Sequence, residues 1–306
     1  MLKKILTVVV AAAITLTFAS CGDKKEDKAP SDANLGGLFG EVATQTPVEK
    51  PKAQVSIEKM YNPAPENAED GKCGENATWR IENGTLFIEG NGAMWDYSFY
   101  QQGPWFAYED EIDHITIKDE ITIVGDYAFC HLNNVGGIEI GKKVSIIGES
   151  AFSDLDYLDE VSIPSNVKKI GRNAFSECGD LEEVTFRDGL VEIDNGAFSF
   201  CKSLENANLP ASLMNIGGDA FNGCSELESV QLPMFIEEVG TFCFANSGIE
   251  HISVPSTIKR ISNGMFDGCN ELEAVYYGGS EQDWQALRID SNNEPLASAN
   301  IYYNAR

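Results

Sequence analysis

Ile147-Gly-Glu-Ser-Ala-Phe152, Ile170-Gly-Arg-Asn-Ala-Phe175 and Ile216-Gly-Gly-Asp-Ala-Phe221 are one phrase written three times. Aligned on its closing phenylalanine, the chain repeats at Phe129, Phe152, Phe175, Phe198, Phe221, Phe244 and Phe266, spaced 23 residues five times and then 22. A fixed period of this length marks stacked supersecondary units, not one closed core. An aliphatic follows six residues after the Phe (Leu158, Leu181, Leu204, Leu227), and two more apolar residues follow at nine and eleven (Val161 and Ile163, Val184 and Phe186). The last two differ by two, so they share one face of a short strand. Pro164, Pro210 and Pro233 end three of these strands, since proline cannot donate to a ladder.

The glycine of the phrase is replaced by Asp194 and Ser262 in two units. Gly, Asp and Ser all serve as N-caps, so a short helical turn is expected to begin there and carry the Phe inward. A left-handed backbone is not expected at this position, because Ser would suit it poorly. No unit can bury its apolar edge alone, but stacking at about 4.8 Å makes one continuous core. The expected fold is therefore an α/β repeat solenoid, a right-handed leucine-rich-repeat coil of seven repeats of about 23 residues with N- and C-terminal caps.

These residues resemble the BspA-like leucine-rich-repeat proteins of bacterial cell surfaces, whose repeat is similar to Ile-Pro-x-x-Val-x-x-Ile-Gly-x-x-Ala-Phe-x-x-Cys-x-x-Leu. The resemblance runs from Ile121 to Tyr277. Cys73 to Trp79 with Gly84 to Gly90 resembles the family's N-terminal cap, and Tyr276 to Trp284 with Asn300 to Tyr303 its C-terminal cap. Departures are Asp194 for Gly, Cys243 and Met265 for Ala, and Leu132, Leu155 and Ser247 where the family has Cys. The resemblance implies surface display and binding of a protein or glycan on host or neighbouring cells. The domains expected are a signal peptide (1–20), a lipid-anchored tether (21–71), an N-terminal cap (72–118), the solenoid (119–277) and a C-terminal cap (278–306).

The leader is read from Met1-Leu-Lys-Lys, an apolar stretch from Ile5 to Phe18, and Ala19-Ser20-Cys21. A hydrophobic segment too short to span, then small residues before a cysteine, is a lipoprotein signal. It resembles a bacterial lipobox, with Phe18 in place of the usual Leu, and implies acylation at Cys21. The expected location is the outer membrane, surface-exposed and held by the anchor alone. The segment after it carries five of the eleven prolines and few aromatics, which suits a flexible tether.

Of the 306 residues, 48 are Asp or Glu and 22 Lys or Arg, for a formal net charge of −26. Nucleic-acid binding needs clustered cations, so no nucleic-acid partner is expected. Only three His are present, and no GxSxG, HExxH or P-loop spacing occurs, so neither catalysis nor a cofactor is expected. Cys178, Cys201, Cys224 and Cys269 each follow their Phe by three residues. They read as a disulfide or metal stripe, or as small hydrophobes filling a narrow slot; Leu132, Leu155 and Ser247 in the same slot favour packing. A Cys73–Cys130 bridge is a further option. Asp154, Asp156, Asp159 and Glu160 could attract calcium, but no EF-hand or glycine-aspartate repeat frames them, and no metal is expected. The aromatic run Met94 to Tyr108 reads as a lid on the open end of the core, or as a stacking platform for glycan or peptide. Trp284, behind a Ser280/Asp283 capping-box spacing, is expected to seal the other end.

Strand positions that alternate with the buried ones form a strip expected to be continuous: Gly137 and Glu139, Glu160 and Ser162, Glu183 and Thr185, Asn206 and Asn208, Ser229 and Gln231, His251 and Ser253, Ala274 and Tyr276. It passes from acidic through amide and hydroxyl to aromatic. Rigid rungs can hold an extended basic segment in register, so this strip is the expected binding site; the alternative is an ordinary solvated face. The function expected is adhesion-type binding by a monomeric surface lipoprotein. The alternative is a structural or ligand-capture subunit of an outer-membrane complex.

Overall fold

A computed structural model describes residues 57–66 and 70–305. The expected signal peptide, Cys21 and most of the expected tether lie outside the described residues. The chain winds into a parallel-sheet solenoid of about eight turns of about 23 residues. Glu160–Ile163, Glu183–Phe186, Asn206–Ala207, Ser229–Gln231, His251–Val254, Ala274–Tyr277 and Asn300–Tyr303 pair in parallel as one seven-stranded sheet. Upstream, Thr85–Gly90, His114–Ile117 and Gly137–Glu139 pair in parallel, with Ala77–Glu82 antiparallel at the edge. The caps thus add rungs of their own to the seven repeats expected.

A second seven-stranded parallel sheet was not foreseen. It contains the two-residue strands Ile146–Ile147, Lys169–Ile170, Glu192–Ile193, Asn215–Ile216 and Glu238–Val239, together with Gly92–Ala93 and Ile121–Val124. The aliphatic that opens each phrase belongs to this sheet, and Ile147, Ile170, Ile193, Ile216 and Val239 are all buried.

The helical turn expected at the phrase does not form. Bonds from Ala174 N to Gly171 O (3.2 Å) and from Cys201 N to Phe198 O (3.3 Å) close β-turns instead. Their third residues, Asn173 and Phe200, have φ of 52° and 61°, the positive φ that a type II turn requires there. A helix would keep its N–H groups to itself, whereas here they join neighbouring turns. Phe152 N donates to Ala174 O, Phe175 N to Ala197 O and Phe198 N to Ala220 O, each at 2.8 Å. The glycine of the phrase is not left-handed, as expected, nor is it an N-cap. A Cβ on Gly148 would lie 2.5 Å from Asp126 Oδ1, and one on Gly240 only 2.2 Å from Gly218 N. The glycine lets successive backbones approach.

The seven Phe rings, all fully buried, form a spine of near-parallel stacked pairs with centroids 5.2 to 6.4 Å apart. Trp105 adds an eighth ring, stacked on Phe129 at 5.4 Å, so it closes the open end, while Phe99, Tyr100 and Tyr108 of the same aromatic run stay exposed. Its indole Nε1 donates to Ala128 O at 3.0 Å, where another turn's backbone would otherwise stand. The opposite end is closed in kind: Asn293 Oδ1 accepts from Phe266 N at 3.0 Å, and Asn293 Nδ2 donates to Ser262 O. A side-chain carboxamide thus replaces the next turn's peptide. The Glu281–Gln285 helix carries the expected capping box, and Trp284 packs edge-on against Tyr277 at 5.2 Å.

Ordered contacts reach upstream of the expected cap boundary at Lys72. Asn62 N donates to Asp96 Oδ2, Ala64 N to Asp96 O, and Lys59 Nζ pairs with the buried Asp96 and with Asp126. Among the described residues, no helix is long and apolar enough to cross a membrane.

Candidate binding surface

The cysteine slot has a second purpose beyond filling space. The seven described cysteines are free, and no Cys73–Cys130 bridge forms. Cys178, Cys201 and Cys224 donate Sγ–H to the carbonyls of Phe152, Phe175 and Phe198 at 3.2, 3.0 and 3.2 Å. Each thiol therefore satisfies a buried carbonyl of the preceding turn. Burial pushes the Cys178 thiol up to about 12 and the Cys130 thiol to about 11. These thiols are expected to resist a thiol-specific disulfide reagent at pH 8 until the chain is unfolded, because the thiolate is the reactive form. Cys201→Ala should cost about 1–3 kcal/mol by leaving the Phe175 carbonyl unpartnered. Denaturant titration reads the second effect, and rapid labelling of the folded protein would contradict the first. Of the acids Asp154, Asp156, Asp159 and Glu160, the first and last lie on different parts of the turn. Asp154 contacts His131 Nδ1 at 2.5 Å in the turns, while Glu160 lies on the strand strip.

The strand strip is assembled by register. Glu160 pairs with Glu183, Glu183 with Asn206, Asn206 with Ser229, Ser229 with His251, and His251 with Ala274. Ser162 and Thr185 stand side by side in the second row, as do Gln231, Ser253 and Tyr276 further along. Two expectations are corrected. The strip is not one hydrogen-bonded ladder, since the sheets divide between Gly137–Glu139 and Glu160–Ile163. Nor is it uniformly open. Glu139, Glu160, Ser162, Glu183, Asn206 and Asn208 are exposed, whereas Thr185, Ser229, Gln231, His251, Ser253 and Tyr276 are half-buried and Ala274 is buried.

The cap strands lengthen the strip at both ends. Tyr302 stacks on Tyr276 at 5.2 Å, His251 meets Tyr276 edge-on at 6.1 Å, and burial pushes the Tyr276 phenol up. At the other end, Phe87 lies beneath Arg80 and Lys118, 4.1 and 4.8 Å from its centroid. Arg80 is itself paired with Glu89 at 3.1 Å.

Beside the strip runs a feature that sequence reasoning missed. Asp159, Glu182, Glu205, Glu228, Glu250 and Glu273 immediately precede the strands of six consecutive turns. Backbone bonds hold them in register: Glu182 N to Asp159 O at 2.9 Å, Glu205 N to Glu182 O at 3.1 Å, Glu250 N to Glu228 O at 2.8 Å and Glu273 N to Glu250 O at 2.9 Å. The signal was present in the sequence, as an acid seven residues after Phe152, Phe175, Phe198, Phe221 and Phe266 and six after Phe244, with Gly136 in that place after Phe129. On the second sheet, a polar depression of about 500 Å³ lies over Glu192, Asp194, Asn215 and Glu238. Lys169 reaches Glu192 at 2.7 Å and Asp194 at 3.0 Å beside it.

A coil whose turns share one spine and whose strands hold outward side chains at a fixed spacing is a repeat-scaffold protein of the leucine-rich kind. The model of the BspA type leucine rich repeat region matches in six copies, over residues 104–225 and 191–283, more than half of the 306-residue chain. The chain belongs to this family. No curated protein matches it. Among solved structures it is similar to the leucine-rich repeat protein of T. pallidum, with 23% identity, a TM-score of 0.45, and coverage of 70% of this chain and 81% of that one. A leucine-rich repeat protein from Bacteroides ovatus gives 21% identity, a TM-score of 0.45, and coverage of 75% and 77%. A leucine-rich cell surface protein from Faecalibacterium prausnitzii gives 24%, a TM-score of 0.35, and 62% and 66%.

Proposed function

We propose that this protein is a surface-displayed lipoprotein, anchored at Cys21, whose strand strip docks an extended basic segment of a partner macromolecule in an adhesion-type role. The observation that carries the reading is the in-register carboxylate column from Asp159 to Glu273 beside Glu160 and Glu183. Like charges held at strand spacing repel one another, about 4.8 Å apart. An extended partner rich in Lys and Arg relieves that repulsion. The amide and aromatic rungs downstream then supply hydrogen bonds and stacking. Family membership supports the surface role.

The purified chain is crosslinked to host-matrix and cell-surface preparations, and the captured partner is identified. The triple reversal Glu139→Lys, Glu160→Lys and Glu183→Lys is then expected to weaken its binding about ten-fold or more. Binding by the native chain should also fall as salt rises, since exposed charges are screened beyond about 8 Å at physiological ionic strength. Undiminished binding by the reversed chain removes the strip from consideration.

A further inference from the structure

Five asparagines are followed by glycine: Asn83, Asn91, Asn195, Asn222 and Asn263. Asn-Gly is the dipeptide most prone to lose its side-chain amide, because glycine puts no side chain in the way of its own nitrogen. The reaction needs that nitrogen free, since an N–H held by a carbonyl must first give up its bond. The coil withholds it at four of the five. Gly196 N donates to Gly218 O and Gly223 N to Ala245 O at 2.8 Å, Gly264 N to Ser291 O at 2.9 Å, and Gly92 N to Glu120 O at 3.1 Å. At three of these the side chain is engaged as well: Asn195 Oδ1 accepts from Gly218 N, Asn222 Nδ2 donates to Asp219 Oδ1, and Asn263 Oδ1 accepts from Asn292 Nδ2.

Asn83-Gly84 is different. It is the two-residue loop between Ala77–Glu82 and Thr85–Gly90, with Glu82 paired to Thr85 across it. Both loop residues have positive φ, 51° and 80°, as a type I′ hairpin turn requires. The flanking residues make the ladder bonds of such a turn, and the Gly84 N–H makes no hydrogen bond among the described residues. Asn83 is exposed. A Cβ on Gly84 would lie 2.7 Å from Asp113 Oδ1, so neither the turn nor its neighbour admits a bulkier residue there. The fold thus demands the labile pair and leaves it open to water.

We propose that Asn83 is a deamidation site, the position at which the folded chain is modified first. Hydroxide takes the Gly84 N–H proton, the nitrogen attacks Asn83 Cγ and a C–N bond forms. The side-chain nitrogen leaves as ammonia, taking a proton from water. Water then opens the five-membered succinimide at either carbonyl, to aspartate or to isoaspartate. Aspartate adds a negative charge next to the Asp113 carboxylate. Isoaspartate adds a carbon to the main chain of a loop whose ends are fixed by the Glu82–Thr85 pair, and the turn no longer fits. Gly84 O accepts from Asp113 N at 2.9 Å and from His114 N at 3.3 Å, so its displacement detaches the hairpin tip from the strand His114–Ile117. The site is independent of the strip and of the anchor, so either can fail alone.

The purified chain is held folded in mildly alkaline buffer, with a parallel sample unfolded in denaturant, and both are followed by peptide mass mapping and enzymatic isoaspartyl methylation. In the folded sample Asn83 is expected to convert at least about five-fold faster than any other Asn-Gly, the factor that one retained backbone hydrogen bond sets. In the unfolded sample all five should convert at comparable rates, which assigns the difference to the fold. Conversion of Asn91, Asn195, Asn222 or Asn263 in the folded chain as fast as that of Asn83 would overturn the proposal. So would an Asn83 that stays intact while the unfolded chain converts. The isoaspartyl form, separated by chromatography, should exchange the amide hydrogens of Asp113 and His114 faster than the native chain, and unchanged exchange there would overturn the detachment of the hairpin tip.

Discussion

Replacing Phe198 with Ala is expected to destabilise the solenoid by about 3–5 kcal/mol, the cost of emptying a buried aromatic site that cannot collapse. Phe198 lies between Phe175 and Phe221, with centroids at 5.3 and 5.5 Å, and receives the edge of Phe186 at 5.7 Å. Its loss interrupts the spine on both sides, and in a nearest-neighbour stack that weakens two interfaces at once. Phe266, the last ring, has one stacked neighbour at 6.4 Å, so Phe266→Ala should cost less. Denaturant titrations of both variants decide the matter. Equal costs, or a Phe198→Ala cost below about 1 kcal/mol, would show that the stack does not carry the core's stability.

The second large effect is expected at Trp105. Trp105→Ala removes the end ring over Phe129 and the donor to Ala128 O together, and should cost at least the 3–5 kcal/mol of a buried aromatic truncation. Trp105→Phe separates the two contributions. It keeps a ring over Phe129 but leaves the Ala128 carbonyl unpartnered, for an expected cost of about 1–3 kcal/mol. Amide hydrogen exchange should then quicken first in the N-terminal turns and leave those around Phe244 protected. Matching exchange along the coil in Trp105→Ala would mean that the end ring is not what holds the first turns closed.

These sites also show how far residue patterns reach. The seven Phe positions and the inward aliphatics were legible because each recurs once per turn, whereas of the three prolines read as strand ends only Pro164 directly follows its strand. The rows of the strip followed from the same alternation, and the side-by-side pairing of Glu160, Glu183 and Asn206 bears that out. The helical turn failed because N-cap preference is a local signal, and here the neighbouring turn competed for the same N–H groups and won. The acid column went unread because attention lay on buried positions and their alternates, although its spacing was as regular as theirs.

By itself the sequence determined the repeat, the spine and the membership of the BspA type leucine rich repeat family, since a side chain buried identically in every turn must reappear at every turn. Only the tertiary structure decided how the coil ends. Trp105 meets Ala128 and Asn293 meets Phe266 through contacts made once, between segments that share no period. The break in the strip before Glu160 and the sheltering of its C-terminal half belong to the same class. Such features depend on how rungs meet in space, and periodicity along the chain carries no record of that.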